Sequence, residues 1–177
     1  MRRYDPTRIV DGPSGAWDWE GGHLLPKPNA WKWENRVETK HKPDGVCEAA
    51  DAVDMHLYRG PAMFAVNGRR ASFLGEFGGL GHAVTNHMWQ SERKVWGYGG
   101  TGDTATKEGL QKAYLGLMDQ VTDLAAKGLA GSVYTQTTDV ENEINGLMTY
   151  DRKVLKYDAA VLRTAHEKVI AAATEGK

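Results

Sequence analysis

The stretch Ala71-Ser72-Phe73-Leu74-Gly75-Glu76-Phe77-Gly78-Gly79-Leu80-Gly81 is predicted to be the one around which the rest of this chain is organised. Its apolar pair Phe73-Leu74 is typical of a buried strand. The strand signal then breaks at four glycines, which surround one carboxylate, Glu76. Glycine permits sharp turns and the close approach of a ligand, and α/β enzymes present reactive groups at such strand ends. A single glutamate in a loop is more simply a solvated side chain, so its neighbours decide between the two interpretations.

Composition narrows the class of protein before any motif is considered. The chain has 177 residues, which predicts a single domain. Hydrophobic residues make up 41% of the sequence, which is typical of a globular protein and not of a disordered one. The net charge of −1 and the lack of a basic tract give no support for a nucleic-acid partner or an anionic membrane. No stretch has the length of a membrane span.

The segment Ala52–Leu57 is predicted to be a strand, with Tyr58 at its carboxyl end. Asp54, His56 and Tyr58 stand two residues apart and therefore share one face of that strand. Buried polar groups need hydrogen-bond partners. Each of the three is explained singly as a structural side chain, whereas together at a strand end they indicate part of a site.

Two further segments complete the predicted sheet. Arg8–Val10 ends in a short apolar pair, and Leu129–Asp139 is rich in small, β-branched and aromatic residues. The second segment carries Tyr134 and Gln136 toward its carboxyl end. Polar and aromatic side chains thus gather at strand carboxyl ends, which is the arrangement of an α/β barrel with its site on that face.

Two amphipathic helices are predicted after the glycine-rich stretch. The first runs from Thr106 to Lys127, with Thr106 as N-cap and Gly128 as the C-terminal stop. The second runs over Asp158–Ala173, with Asp158 as N-cap. Apolar residues spaced three and four apart predict a core-facing stripe on each helix. Those of the second helix are Val161, Leu162, Ala165, Val169 and Ile170.

The remaining segments are predicted to be irregular. Residues 12–48 form a long loop with one short helix near residues 31–38, and their tryptophans are either a platform for flat ligands or a self-packed loop. Residues 82–102 form a loop or short helix over the strand end. His82 and His87 do not predict a metal site, because no carboxylate or cysteine stands at ligand spacing. The single cysteine, Cys47, cannot form an internal disulfide.

Several motifs resemble the catalytic domain of glycoside hydrolase family 2, the family of β-galactosidases, β-mannosidases and β-glucuronidases. They are Leu74-Gly75-Glu76-Phe77-Gly78-Gly79-Leu80-Gly81, Asp54-Met55-His56-Leu57-Tyr58-Arg59-Gly60-Pro61, the stretch from Tyr134 to Arg152, and Asp5-Pro6-Thr7-Arg8. The resemblance implies a partial (β/α)8 TIM barrel, about strands five to eight with their helices. Residues 1–177 would then be the C-terminal portion of that barrel, with an irregular insertion at about 12–48.

The resemblance also implies roles for individual residues. Glu76 matches the nucleophile of a retaining β-glycosidase, and Tyr58 matches the tyrosine that hydrogen-bonds it. Substrate-binding roles are expected for the side chains at the strand ends and in the following loop. These are His56, Trp89, Tyr134 and Gln136. The substrate would be a carbohydrate, and neither a cofactor nor a metal is expected.

One element of the family pattern has no counterpart in this sequence. The general acid/base glutamate of the family precedes the segment that Asp5-Pro6-Thr7-Arg8 resembles, and Glu20 and Glu34 lack its sequence context. The chain is therefore expected to be inactive alone and to require the preceding half of a barrel, with its β-sandwich domains. The alternative is a non-catalytic carbohydrate-binding or interaction module that uses the tryptophans of residues 12–48.

Overall fold

The computed structural model describes residues 4–11, 50–66, 68–90, 94–100 and 102–175, together with the backbone of residues 19–20 and 23–24. Strands β1 and β2 form an antiparallel pair, and β3, β4 and β5 form a parallel sheet in that order. Helix α1 lies between β4 and β5 in the chain, and α2 follows β5. The elements are β1 (Trp19–Glu20), β2 (His23–Leu24), β3 (Ala52–Leu57), β4 (Ala71–Gly78), α1 (Lys107–Ala126), β5 (Leu129–Thr135) and α2 (Ala159–Glu175).

Helix α1 forms where the sequence pattern predicts it. The Thr106 side chain accepts a hydrogen bond from the Gly109 amide, so Thr106 is the predicted N-cap. Gly128 follows the helix with a φ of 103°, a conformation that glycine adopts without strain. The predicted stripe is buried over most of its length, at Leu110, Tyr114, Leu117, Met118, Val121 and Ala125.

Helix α2 also forms, but the prediction that Ile170 faces inward is wrong. The Asp158 carboxylate accepts hydrogen bonds from the amides of Ala160 and Val161, which confirms the predicted N-cap. Leu162 and Ala165 are buried, whereas the Ile170 side chain is 64% exposed. Which flank of an apolar stripe is covered depends on the neighbouring element, and in the described structure α1 covers only part of it.

The core lies between one face of the parallel sheet and the two helices. Met55 of β3, Leu74 and Phe77 of β4 and Tyr114 of α1 are all essentially inaccessible to solvent and belong to one apolar cluster. The opposite face of the sheet carries Asp54 and the other polar side chains of β3. The polar side chains of β3 therefore lie on the face away from this apolar cluster.

The predicted partial (β/α)8 barrel is wrong. In the described residues the parallel sheet has three strands and is accompanied by two helices, a small α/β fold. That is too little for strands five to eight of a TIM barrel. Arg8–Val10 forms no strand, and only Asp11 makes a single parallel bridge, to Ala52. Within the described residues, Val10 is half-buried and bonded to Asp51, whereas the Ile9 side chain is 74% exposed and gains little of the burial that stabilises a strand.

Two strand boundaries also differ from the prediction. β4 continues through Glu76 to Gly78 instead of breaking after Leu74, and β5 ends at Thr135 instead of reaching Asp139. The predicted short helix near residues 31–38, Cys47 and the tryptophan side chains of residues 12–48 lie outside the described residues. In the described part of the chain, both α1 and α2 lack an apolar segment of the length that a bilayer-spanning helix needs.

Candidate functional site

Glu76 and Tyr58 meet at the carboxyl ends of two neighbouring parallel strands. Tyr58 follows β3, and Glu76 lies near the end of β4 opposite His56. The Tyr58 hydroxyl donates a hydrogen bond to Glu76 Oε2 at 2.5 Å, and lies 2.8 Å from Thr135 Oγ1 at the end of β5. Three strands therefore contribute to one cluster, in which the Glu76 side chain is 44% exposed and open to a ligand.

Burial raises the pKa of Tyr58 well above its usual range, and the hydrogen bond to Glu76 raises it further. Both effects disfavour the phenolate, because a charged oxygen loses solvation on burial and would stand beside a carboxylate. Tyr58 is therefore a stable hydrogen-bond donor at neutral pH. Charge-assisted bonds of this kind are about twice as strong as those between neutral groups.

A bulge in β4 explains why Glu76 faces this cluster. Leu74 and Phe77 are three residues apart, yet both are buried in the core. A regular strand alternates every residue, so burying both requires one extra residue between them. The register with β3 shifts at this point, from Leu74 opposite Met55 to Glu76 opposite His56. The bulge turns Glu76 away from the core, which is a known use of bulges beside functional sites.

Gly75 is the residue that this bulge requires. A Cβ at Gly75 would lie 2.3 Å from Asp54 Oδ2, a distance at which no side chain fits. Without a Cβ, the Gly75 amide approaches Asp54 and donates a hydrogen bond to its Oδ1 at 2.6 Å. The buried Asp54 carboxylate therefore lies directly beneath the backbone that carries Glu76.

His56 stands between the two carboxylates. Its Nε2 lies 3.3 Å from Asp54 Oδ2, and its Nδ1 lies 3.3 Å from Glu76 Oε2. The carboxylates approach opposite edges of the ring, so the three groups do not converge on a common point. Consistent with this geometry, no cluster of metal-ligating side chains occurs in the described ranges.

An aromatic row borders the cluster. The Tyr98 ring stacks on Tyr58 with centroids 5.3 Å apart, and Trp96 meets the Tyr98 ring edge-on at 5.1 Å. Trp96 is 47% exposed. Neither Trp96 nor Tyr98 was predicted from the sequence to belong to the site. The glycines at 97, 99 and 100 were the available signal, because a tight backbone crossing requires residues without side chains.

Backbone contacts hold this row in place. The Gly81 amide donates to the Tyr98 carbonyl at 2.8 Å, and the Tyr98 amide donates to the Gly79 carbonyl at 2.9 Å. A Cβ on Gly97 would lie 2.5 Å from the Gly81 Cα, so the two segments cross at a distance that only glycines allow. The glycines after Glu76 therefore serve to bring the segment 96–98 against Tyr58.

Tyr134, predicted to contact substrate, packs into the core side of the turn after β4. Its ring meets Phe77 and Tyr114 edge-on, with centroids 5.6 and 5.0 Å apart. Its hydroxyl accepts a hydrogen bond from the Leu80 amide at 3.1 Å, and burial raises its pKa to about 12. The structure thus places Tyr134 as a support beneath Gly78, where a Cβ would lie 2.2 Å from the ring.

Gln136 and Trp89 are the other predicted substrate contacts. The Gln136 amide nitrogen donates to Asn145 Oδ1 at 2.8 Å and to Glu143 Oε2 at 3.3 Å, which fixes it to the loop after β5. Trp89 lies beside Tyr150, with ring centroids 6.4 Å apart. The structure therefore brings His56 together with Glu76 and Tyr58, and gives Trp89, Tyr134 and Gln136 partners of their own. Their substrate roles stay predictions.

A buried lysine that the sequence pattern does not predict supports the loops around the site. Lys156 Nζ donates to Asp139 Oδ1 at 2.6 Å and to the carbonyls of His82 and Ile144 at 2.8 and 3.0 Å. Its side chain is fully buried. Burial lowers the pKa of Lys156 and raises the pKa of Asp139, while their mutual attraction opposes both shifts. Lys156 thus joins the segments that follow β4 and β5.

A second contact joins the same two loops near the surface. His87 Nδ1 lies 2.9 Å from Asp151 Oδ2, and the Thr149 hydroxyl donates to Asp151 Oδ1 at 2.7 Å. The hydrogen bond with His87 and then that from Thr149 lower the pKa of Asp151 to about 2. Both hydrogen bonds favour the ionised carboxylate.

Comparison with known proteins adds no relative to this picture: no protein-family model matches the sequence, and no curated protein is significantly similar to it.

Proposed function

We propose that this chain carries the nucleophile of a retaining β-glycosidase, with Glu76 as the nucleophile and Tyr58 as the residue that orients it. The observation that carries the proposal is the 2.5 Å hydrogen bond from the Tyr58 hydroxyl to a half-exposed Glu76 carboxylate. A carboxylate held by a donor and open to solvent matches the requirement of covalent glycoside hydrolysis. The motif resemblance around Glu76 and Tyr58 points to the same chemistry.

The proposed reaction uses the two oxygens of Glu76 differently. Tyr58 and His56 both approach Oε2, and we assign the attack on the anomeric carbon to Oε1. The new bond joins Oε1 to the sugar as the glycosidic bond breaks, and the leaving oxygen keeps the bonding electron pair. A general acid protonates that oxygen, and water later hydrolyses the glycosyl ester to restore the carboxylate.

The general acid/base is proposed to come from polypeptide outside this sequence. Asp54 is the other carboxylate of the cluster, but its side chain is only 5% exposed and its Oδ1 accepts the Gly75 amide. It cannot reach the leaving oxygen of a bound glycoside. Without a general acid in the cluster, this chain alone would turn over natural substrates very slowly.

The nucleophile can be tested with a reagent that reacts without a general acid. A 2-deoxy-2-fluoro β-glycosyl fluoride has a leaving group that departs without protonation, and its fluorine slows hydrolysis of the ester. We expect intact-mass spectrometry of the treated chain to show one added glycosyl unit, and peptide mapping to place it on Glu76. Galactosyl, glucosyl and mannosyl fluorides form the panel, because specificity depends on loops and not on the fold.

Matched variants make the result specific. Glu76→Gln should abolish labelling, whereas Glu108→Gln, which removes an exposed carboxylate from the first turn of α1, should leave it unchanged. A label on another residue would refute the assignment. Saturable binding of a β-glycoside without any label would instead support a non-catalytic sugar-binding module, for which the exposed Trp96 and its neighbour Tyr98 offer an aromatic surface.

A further inference from the structure

Asp54 is a buried carboxylate whose position the proposed chemistry does not explain. It is 4% exposed, on the face of β3 opposite Val53 and Met55, which lie in the core. Burial of an ionised carboxylate is unfavourable unless hydrogen bonds or charges compensate it. The role of Asp54 therefore follows from the groups that contact it, and two of these groups connect it to Glu76.

The first connection runs through the backbone. The extra residue of a bulge is left without a ladder partner, and the register of β4 with β3 passes over Gly75. Asp54 Oδ1 accepts the hydrogen bond from this Gly75 amide at 2.6 Å. Asp54 thereby satisfies the amide that the bulge frees and fixes the bulge that directs Glu76 away from the core.

The second connection runs through the His56 ring. Asp54 Oδ2 lies 3.3 Å from Nε2, and Glu76 Oε2 lies 3.3 Å from Nδ1 on the opposite edge. Contact with a carboxylate at each of two opposite edges holds the ring in one orientation. The orientation of the ring in turn sets the position of Nδ1 beside the nucleophile oxygen.

We propose that Asp54 is a positioning residue for Glu76, acting through the Gly75 amide and through His56. The two oxygens of one carboxylate fix the backbone beneath Glu76 and the imidazole beside it. This inference rests on the proposed function only for the reactivity of Glu76. The position of the Glu76 carboxylate is measurable without any reaction.

Two substitutions separate the two connections. Asp54→Asn keeps an oxygen for the Gly75 amide and removes the negative charge beside His56, whereas Asp54→Ala removes both. We expect the first-order rate of Glu76 labelling by the glycosyl fluoride to fall about 10-fold in the first variant and about 100-fold in the second, because each bond to a charged group is worth roughly one to two orders of magnitude. The half-saturating concentration of the reagent should change little.

Nuclear magnetic resonance supplies a readout that does not depend on labelling. The side-chain carboxyl ¹³C signal of Glu76 and the ring ¹⁵N signals of His56 should shift in both variants, and the Gly75 amide proton should lose its exchange protection only in Asp54→Ala. Asp119→Asn is the matched control, because it removes an exposed aspartate charge on α1 that pairs with Lys168. It should leave the rate and all three signals unchanged.

The outcomes distinguish this inference from the proposed function. If the unmutated chain is never labelled, the nucleophile assignment fails, and the shifts still decide the role of Asp54. If Glu76 and His56 signals are unmoved in the folded Asp54→Asn variant, Asp54 does not position Glu76. Equal loss of labelling in Asp54→Asn and Asp119→Asn would also overturn the inference.

Discussion

Lys156→Met isolates the buried ion pair that joins the loops of the candidate site. Methionine has nearly the length of lysine and no charge, so the substitution removes the bonds to Asp139 and to the carbonyls of His82 and Ile144 while keeping most of the packing. Asp139 then keeps the Gly146 amide as a donor at 2.8 Å. Its Oδ2 is buried and has no hydrogen-bond partner in the described structure.

The expected loss of stability follows from this burial. Both side chains are at most 2% exposed, and removal of one partner from a buried pair costs about 3–5 kcal/mol. Lys168→Met is the matched control, because Lys168 pairs with Asp119 at 2.7 Å on the surface, where both side chains are more than half exposed. An exposed pair contributes about 0–1 kcal/mol. The loss in free energy of unfolding should therefore be several times larger in Lys156→Met than in Lys168→Met.

Urea unfolding followed by circular dichroism measures these free energies, and thermal unfolding provides a second estimate. We expect Lys156→Met to lower the melting temperature by roughly 10 °C, since about 1 kcal/mol corresponds to 2–4 °C for a chain of this size. The loss of stability in Lys156→Met should become smaller as the pH falls. Burial raises the pKa of Asp139, and loss of the lysine removes the largest opposing interaction and leaves the weaker ones from the Gly146 amide and His82. The folded variant therefore gains a proton as the pH falls, which relieves the uncompensated charge.

A loss of less than about 1 kcal/mol in Lys156→Met, equal to that of Lys168→Met, would refute this reasoning. The double variant Asp139→Asn with Lys156→Met provides a further check. It removes both charges, so it should recover much of the stability lost by the single lysine substitution, as is common when a buried pair is replaced as a unit. Failure to recover would mean that Lys156 acts through its packing or its two carbonyl bonds and not through the charge of Asp139.

Other substitutions test the site and its scaffold. Tyr58→Phe should slow covalent labelling of Glu76 by about 10- to 100-fold with little effect on reagent binding, because it removes a hydrogen bond to a charged group; an unchanged rate would contradict the orienting role. Gly78→Ala should destabilise the chain by more than about 2 kcal/mol, since the φ of Gly78 is 84° and an added Cβ would meet the Tyr134 ring. Gly116→Ala, in the middle of α1 where no atom lies close to the added Cβ, should instead stabilise the chain by about 0.5–1 kcal/mol in the same unfolding assay. Asp151 has a pKa lowered to about 2, so its contribution to stability is complete above the unfolded value near 3.8 and is lost as the pH falls toward 2; acid unfolding of Asp151→Asn should be less steep in that window.

The helices and one strand could be predicted because their signals are local. Thr106 and Asp158 cap the two helices as their side-chain chemistry predicts, and β3 has the predicted bounds. The shared face of Asp54, His56 and Tyr58 follows from two-residue spacing alone. Those residues were therefore available as candidates before any tertiary contact was known, and so was Glu76 through the glycines around it.

Other features depend on contacts between distant segments, and the sequence pattern did not reveal them. In the sequence Lys156 is indistinguishable from an exposed lysine, and only the structure shows that it bonds to carbonyls of two loops. In the sequence Tyr98 is an ordinary loop residue, and only the structure shows that the close approach of Gly81 and Gly97 stacks its ring on Tyr58. The exposure of Ile170 is likewise set by what covers α2.

Local patterns in the sequence were enough to predict β3, the caps and apolar stripes of α1 and α2, and the grouping of polar residues at strand ends. The number of strands in the described sheet and the direction of Glu76 depend on tertiary contacts that local patterns do not reveal. Strand pairing and burial depend on partners far along the chain. Ile9 is exposed in the described structure and Arg8–Val10 forms no strand there, whereas Leu74 and Phe77 both lie in the core. Burying both residues forced the bulge at Gly75, and the bulge turned Glu76 toward Tyr58 and His56.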